Sequence, residues 1–134
     1  MTLGKIFLQT IFALFLVANF FAAAAHAEIQ TYEGVGEYFM TDETIDFAKE
    51  QAELYAQRDA LEKISVYVKR VASMTDHELD SEEIVTVSSG ILRVKETKFS
   101  MEDGGDGIIV KSFVTVEIDI EEVVKLLQQL IASR

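Results

Sequence analysis

The side chains that could do chemistry are few, and their types exclude more than they permit. The chain has two histidines, His26 and His77, and no cysteine. Histidine-based triads, thiol catalysis and ordinary zinc sites are therefore short of parts. Carboxylates abound, with 23 Asp and Glu against 12 Lys and Arg, but no spacing singles out two of them for acid–base work. The acidic run Glu102-Asp103-Gly104-Gly105-Asp106-Gly107 could collect calcium through carboxylates and carbonyls. It lacks the twelve-residue loop and the downstream bidentate glutamate of a calcium hand, and it reads equally as a glycine turn. Gly34-Val35-Gly36 is half of a phosphate-binding fingerprint, which needs a third glycine opening a helix directly after the strand. The expectation is a protein without catalytic residues, cofactor or metal.

What must position such residues begins after residue 27. Residues 1–27 carry one charge, Lys5, then an apolar run from Ile6 to Ala25 broken only by Gln9, Thr10 and Asn19, then Ala25-His26-Ala27. A charged start, a greasy middle and small residues at the cut are the parts of a secretory signal peptide. The competing reading is a retained anchor, since twenty apolar residues span about 30 Å of bilayer. Cleavage would remove His26 and deliver residues 28–134 as a single periplasmic or extracellular domain. No cysteine follows the cut, so lipid attachment through cysteine is excluded.

The whole chain of 134 residues has a formal charge of −11, and the leader contributes none of the acid. Binding a phosphate backbone or an anionic lipid surface relies on lysine and arginine, so nucleic acid and membrane docking are disfavoured as roles. A protein partner fits better. Without disulfides a domain this small gains from a second packing surface, such as another subunit.

Residues 31–40 read as a strand whose glycines, 34 and 36, fall on one face, where a second backbone can approach closely. Thr41, Asp42 and Glu43 supply cap candidates for a helix that runs, without glycine or proline, to about residue 74. Alanine recurs every fourth residue, at Ala48, Ala52, Ala56 and Ala60, which places the methyl groups on one side of the helix. Ile45, Tyr55, Ile64, Tyr67 and Val71 widen that side into a core face. Glycines on the strand and alanines on the helix are complementary, and they predict close helix-on-sheet packing.

A second apolar row, Phe47, Leu54, Leu61 and Val68, recurs at intervals of seven on the side roughly opposite the alanines. One sheet cannot bury both rows. The second row is the predicted partner-binding surface, covered either by the C-terminal helix or by the same row of another subunit in a two-fold dimer. Charged residues between the rows, among them Lys49, Glu50, Arg58, Asp59, Glu62 and Lys63, read as a solvated face.

Asp80-Ser81-Glu82-Glu83 resembles a capping box, and Gly90 could close a short helix as its left-handed cap; a strand over residues 84–87 competes. Strands over residues 91–101 and 108–119 flank the acidic glycine run and predict an antiparallel hairpin. Residues 121–131 finish the chain as an amphipathic helix with Val123, Val124, Leu127, Leu130 and Ile131 in one stripe. Together these give an α+β domain in which a small antiparallel or mixed three-stranded sheet lies under one long helix, with a short helix and a C-terminal helix.

The strand with Gly34 and Gly36, the run Ala56-x-Arg58-x-Ala60-Leu61 and the later Ser89-Gly90-Ile91 resemble the N-terminal domain of the flagellar assembly protein T family and a related family of small outer-membrane lipoproteins. The resemblance covers nearly all of residues 28–119. It implies a non-enzymatic envelope protein that works through contacts between domains and subunits, as the flagellar member does in building a ring around the basal body. The chain departs from the pattern in lacking the lipoprotein cysteine, in carrying Ser65 where many relatives have glycine, and in stopping after one domain. The scaffold role is therefore what carries over: an exported, non-catalytic scaffold or interaction module that binds a protein partner or a second copy of itself. The alternative is a small periplasmic ligand- or calcium-binding protein.

Overall fold

The computed structural model describes residues 28–72 and 80–134. The predicted leader, His77 and the predicted helix end near residue 74 lie outside them. Six elements follow one another: β1 (Ile29–Met40), α1 (Ile45–Val71), α2 (Ser81–Ile91), β2 (Arg93–Asp103), β3 (Ile108–Asp119) and α3 (Ile120–Ala132). The sheet is ordered β1-β3-β2 and is antiparallel throughout, so the fold is α+β with one long helix. The alternation seen in the sequence sets the sheet's two faces. Val110, Ser112, Val114, Val116 and Ile118 of the central strand point into the core, while Lys111, Thr115 and Glu117 point away.

α1 starts at Thr44, whose Oγ1 accepts the Phe47 N–H at 3.2 Å. The predicted caps at Thr41, Asp42 and Glu43 stop short because Glu43 is used otherwise. Its carboxylate accepts the Thr41 N–H at 2.9 Å and the Tyr38 hydroxyl at 3.0 Å, tying the strand exit to the helix entry. These bonds, the Thr41 amide first, hold the Glu43 carboxyl below the usual carboxylate range. α2 begins with a complete capping box between Asp80 and Glu83, which decides for helix against the competing strand. Gly90 does not close it. The helix continues through Ile91 and ends when Leu92 turns extended, with φ −62° and ψ 139°, a turn that needs no left-handed residue.

The main core joins Leu61, Ile64 and Val68 of α1 to Ile84 and Val85 of α2, Val114, Val116 and Ile118 of β3, and Val123 and Leu127 of α3. A smaller cluster, Ala48, Ala52 and Val110, continues beneath the first half of α1. α2 and α3 thus thicken only one end of the layer.

Candidate interaction surface

The seam between α1 and β1 sets everything else. A Cβ added at Gly34 would lie 2.9 Å from the Ala60 nitrogen and closer still to the Ala56 carbonyl oxygen. One added at Gly36 would lie 2.8 Å from the Tyr55 carbonyl carbon, with the Ala52 oxygen and Ala56 nitrogen nearer. The helix backbone therefore rests directly on the glycines, and Ala48, Ala52, Ala56 and Ala60 are wholly buried in the seam. Only methyl groups fit at that spacing. Tyr55, expected in the core face, is instead exposed, because its ring is too large for the gap and leaves at the margin. Val71, expected there too, is exposed at the helix end, while Ile64 is buried and Ile45 and Tyr67 are half-buried.

So close a fit also fixes what α1 leaves uncovered. A helix is about 10 Å across, and strands lie about 4.8 Å apart, so one helix shelters about two strands. Seated on Gly34 and Gly36, α1 covers β1 and β3. β2 is left as a shelf on the helix side of the sheet, where Val94, Phe99 and Met101 stay substantially exposed, Met101 to 49%. Among the described residues, two polar contacts cross to it from α1: Thr97 Oγ1 donates to Glu53 at 3.3 Å, and the Lys49 ammonium stands 5.4 Å from the centre of the Phe99 ring.

The seven-residue row divides in two. Leu61 is 8% exposed and Val68 fully buried, whereas Phe47 is exposed and Leu54 is 53% exposed. Leu61 and Val68 consequently cannot be partner-binding residues in this fold; they are core. Helical geometry explains the division. At about 100° per residue, steps of four drift forward by about 40° and steps of seven drift back by about 20°, so rows that begin on opposite sides converge toward the helix end. The cover there is mainly α2, where the sequence suggested the C-terminal helix or a second subunit. Phe47 meets the Tyr38 ring edge-on at 5.8 Å. Leu54 is exposed on the side of α1 turned away from the sheet.

Two charged residues that read as solvated do structural work at the sheet edge. Asp59 accepts the Val35 N–H at 2.9 Å, Lys63 donates to the Glu33 carbonyl at 2.8 Å, and the two side chains pair at 3.2 Å. They occupy one N–H and one carbonyl in the middle of the outer edge of β1, which hinders pairing with another strand there. Nothing in the i, i+4 spacing distinguishes such a pair from a surface salt bridge. On the face of the sheet away from α1, Val35 lies opposite Phe113 and Phe39 opposite Ile109, on either side of Glu37 and Lys111. Lys111 pairs with Glu102 at 3.1 Å and Glu37 at 3.4 Å. Both carboxylates, Glu102 foremost, push its ammonium above the usual lysine value.

The ligand-like features are modest. Asp103 Oδ1 accepts the Gly105 N–H at 2.9 Å, and Gly105 takes the left-handed φ of 87°, so the acidic run forms a tight turn held by its own carboxylate. Among the described residues, no three His, Cys, Asp or Glu side chains converge as metal ligands would. A depression of about 420 Å³ between Glu28, Val71 and α3 lies open to solvent. Nearby, Tyr67, Gln30, Tyr32 and Glu28 form a hydrogen-bonded chain that ties Glu28 to α1. Burial, followed by the charges of Tyr67 and Glu28, raises the Tyr32 hydroxyl above its ordinary value.

No protein-family model and no curated protein matches the chain. No helix among the described residues is long and apolar enough to cross a membrane.

Proposed function

We propose that this is an exported, non-catalytic scaffold or interaction module of the cell envelope, built on the lines of the flagellar assembly and lipoprotein domains it resembles. One observation carries the reading. Two elements carry apolar side chains that the chain's own helices leave open: Phe99 and Met101 on the helix-side face of β2, and Leu54 on the outer side of α1. Apolar groups scattered singly on a surface are ordinary, but a run of them bordering one edge strand marks a contact site. Export rests on the leader-like composition of residues 1–27.

The test is made in cells, with a tagged chain, cell fractionation and native size separation. The expected product starts at Glu28, sits in the envelope fraction and migrates above its monomer mass. Leu54→Asp should fold normally and migrate as a monomer. A product that stays in the cytoplasm, or one whose size is the same with and without the substitution, contradicts the proposal.

A further inference from the structure

The sheet has two edges, and they are treated differently. On β1 the outward N–H of Val35 and carbonyl of Glu33 are taken by Asp59 and Lys63. Backbone groups alternate sides along a strand, so odd positions of β1 face outward and even positions bond to β3. Through the registers Val35↔Phe113 and Lys98↔Phe113, the outward groups of β2 are those of Thr97, Phe99, Met101 and Asp103. Among the described residues, no side chain or backbone group caps them. The one irregularity, a bulge at Val94/Glu96, lies before this stretch and leaves residues 97–103 regular.

That stretch complements itself when reversed. About Ser100, Lys98 mirrors Glu102, Phe99 mirrors Met101 and Thr97 mirrors Asp103. We propose that β2 pairs with β2 of a second copy, antiparallel, on a two-fold axis through Ser100, giving one continuous six-stranded sheet. This rests on reading the chain as an interaction module and names its partner. In this register each Lys98, which lies 3.6 Å from Glu96 of its own strand, faces on the open face the other copy's Glu102, which also holds Lys111 at 3.1 Å, and each Phe99 faces a Met101 on the helix side. Opposite charges and apolar pairs directly across an antiparallel ladder stabilise it, and like charges oppose it. The neighbouring registers are worse. An axis through Phe99 opposes Glu96 to Glu102, one through Met101 sets Phe99 against Asp103 and leaves Lys98 opposite Gly104, and one through Lys98 opposes two lysines. The chain's net negative charge does not act against the contact locally, because residues 93–103 hold three basic and three acidic side chains.

Since the chain has no cysteine, a single introduced thiol reports the axis directly. With Ser100 in a non-hydrogen-bonded pair, its Cα lies about 4.5 Å from its mate, within disulfide range. The chain beginning at Glu28 contains every described element and is the material for the test. Under mild oxidation, Ser100→Cys should give a disulfide-linked dimer, and Val35→Cys, on the capped edge, should not. By sedimentation, Lys98→Glu should weaken association by about tenfold, and Lys98→Glu with Glu102→Lys should restore it. Equal cross-linking at positions 35 and 100, no cross-link at 100, or no recovery in the double swap overturns the pairing. Should Leu54→Asp disrupt the envelope complex while Ser100→Cys forms no dimer, the interaction reading stands and the edge pairing falls. If Leu54→Asp also has no effect, both fall.

Discussion

Substituting Gly34 or Gly36 by alanine tests the seam on which the architecture depends. The new Cβ at position 34 would lie 2.9 Å from the Ala60 nitrogen, where ordinary contact begins at 3.4 Å, and nearer to the Ala56 oxygen. The helix backbone must therefore retreat by more than about half an ångström. Its atoms cannot rotate away as a side chain can, so the cost belongs at the upper end of overpacking, about 3 kcal/mol. In a strand free of such contact, Gly→Ala stabilises by about 0.4–1 kcal/mol through lost chain entropy, so the sign alone discriminates. Urea unfolding is the assay. With a slope of about 1–3 kcal/mol per molar, the midpoint should fall by about 1–3 M without a change in slope. Ala56→Gly should not rescue Gly34→Ala, because the obstruction is main chain. Gly90→Ala is the control: nothing lies within 4 Å of its Cβ, it is helical, and it should stabilise by about 0.5–1 kcal/mol. A Gly34→Ala protein as stable as the parent would refute the close contact.

Other substitutions separate the parts of the account. Leu61→Ala should cost about 2–5 kcal/mol and Leu54→Ala under about 0.5 kcal/mol in thermal unfolding, because only the first leaves a core cavity; similar losses at both would contradict the division of the row. Ser112 is fully buried beneath α1 with no hydrogen-bond partner for its Oγ among the described residues, so Ser112→Ala should raise stability by about 1 kcal/mol, and a loss of that size would show the hydroxyl to be bonded. The Glu43 carboxyl is lowered by the Thr41 amide, the region's other amides and the Tyr38 hydroxyl. Its stabilisation is present above the unfolded carboxylate value and disappears as pH falls through the lowered folded value. The stability gap between the parent and Glu43→Gln should therefore narrow on acidification below about pH 4. A gap that stays constant with pH would remove the ionised carboxylate from the argument.

Several elements were legible because one local rule fixed them. The Asp80 to Glu83 capping box, the alternation from Val110 to Ile118, and the glycine and alanine spacing are all readable without tertiary knowledge. The misreadings share a cause: the path of α1 relative to its neighbours. Leu61 and Val68 look like surface residues when the row is projected on a straight wheel; they are buried because the two rows converge where α2 crosses. Tyr55 looks like core until the gap is known to admit only methyl groups. Asp59 and Lys63 look like a helix salt bridge, and only the position of β1 reveals the backbone groups they hold. The β2 shelf was missed for the same reason, although the isolated apolar positions Phe99 and Met101 in an otherwise charged strand were its one signal in the sequence.

The most direct test of the contact surface is amide hydrogen exchange on the chain at concentrations where the proposed assembly forms, compared with dilute chain. The outward amides of Thr97, Phe99, Met101 and Asp103 are predicted to exchange more slowly in the assembly, with those of Lys98, Ser100 and Glu102, already bonded to β3, and the capped Val35 amide unchanged. Equal exchange of the Thr97, Phe99, Met101 and Asp103 amides in both states would contradict the account.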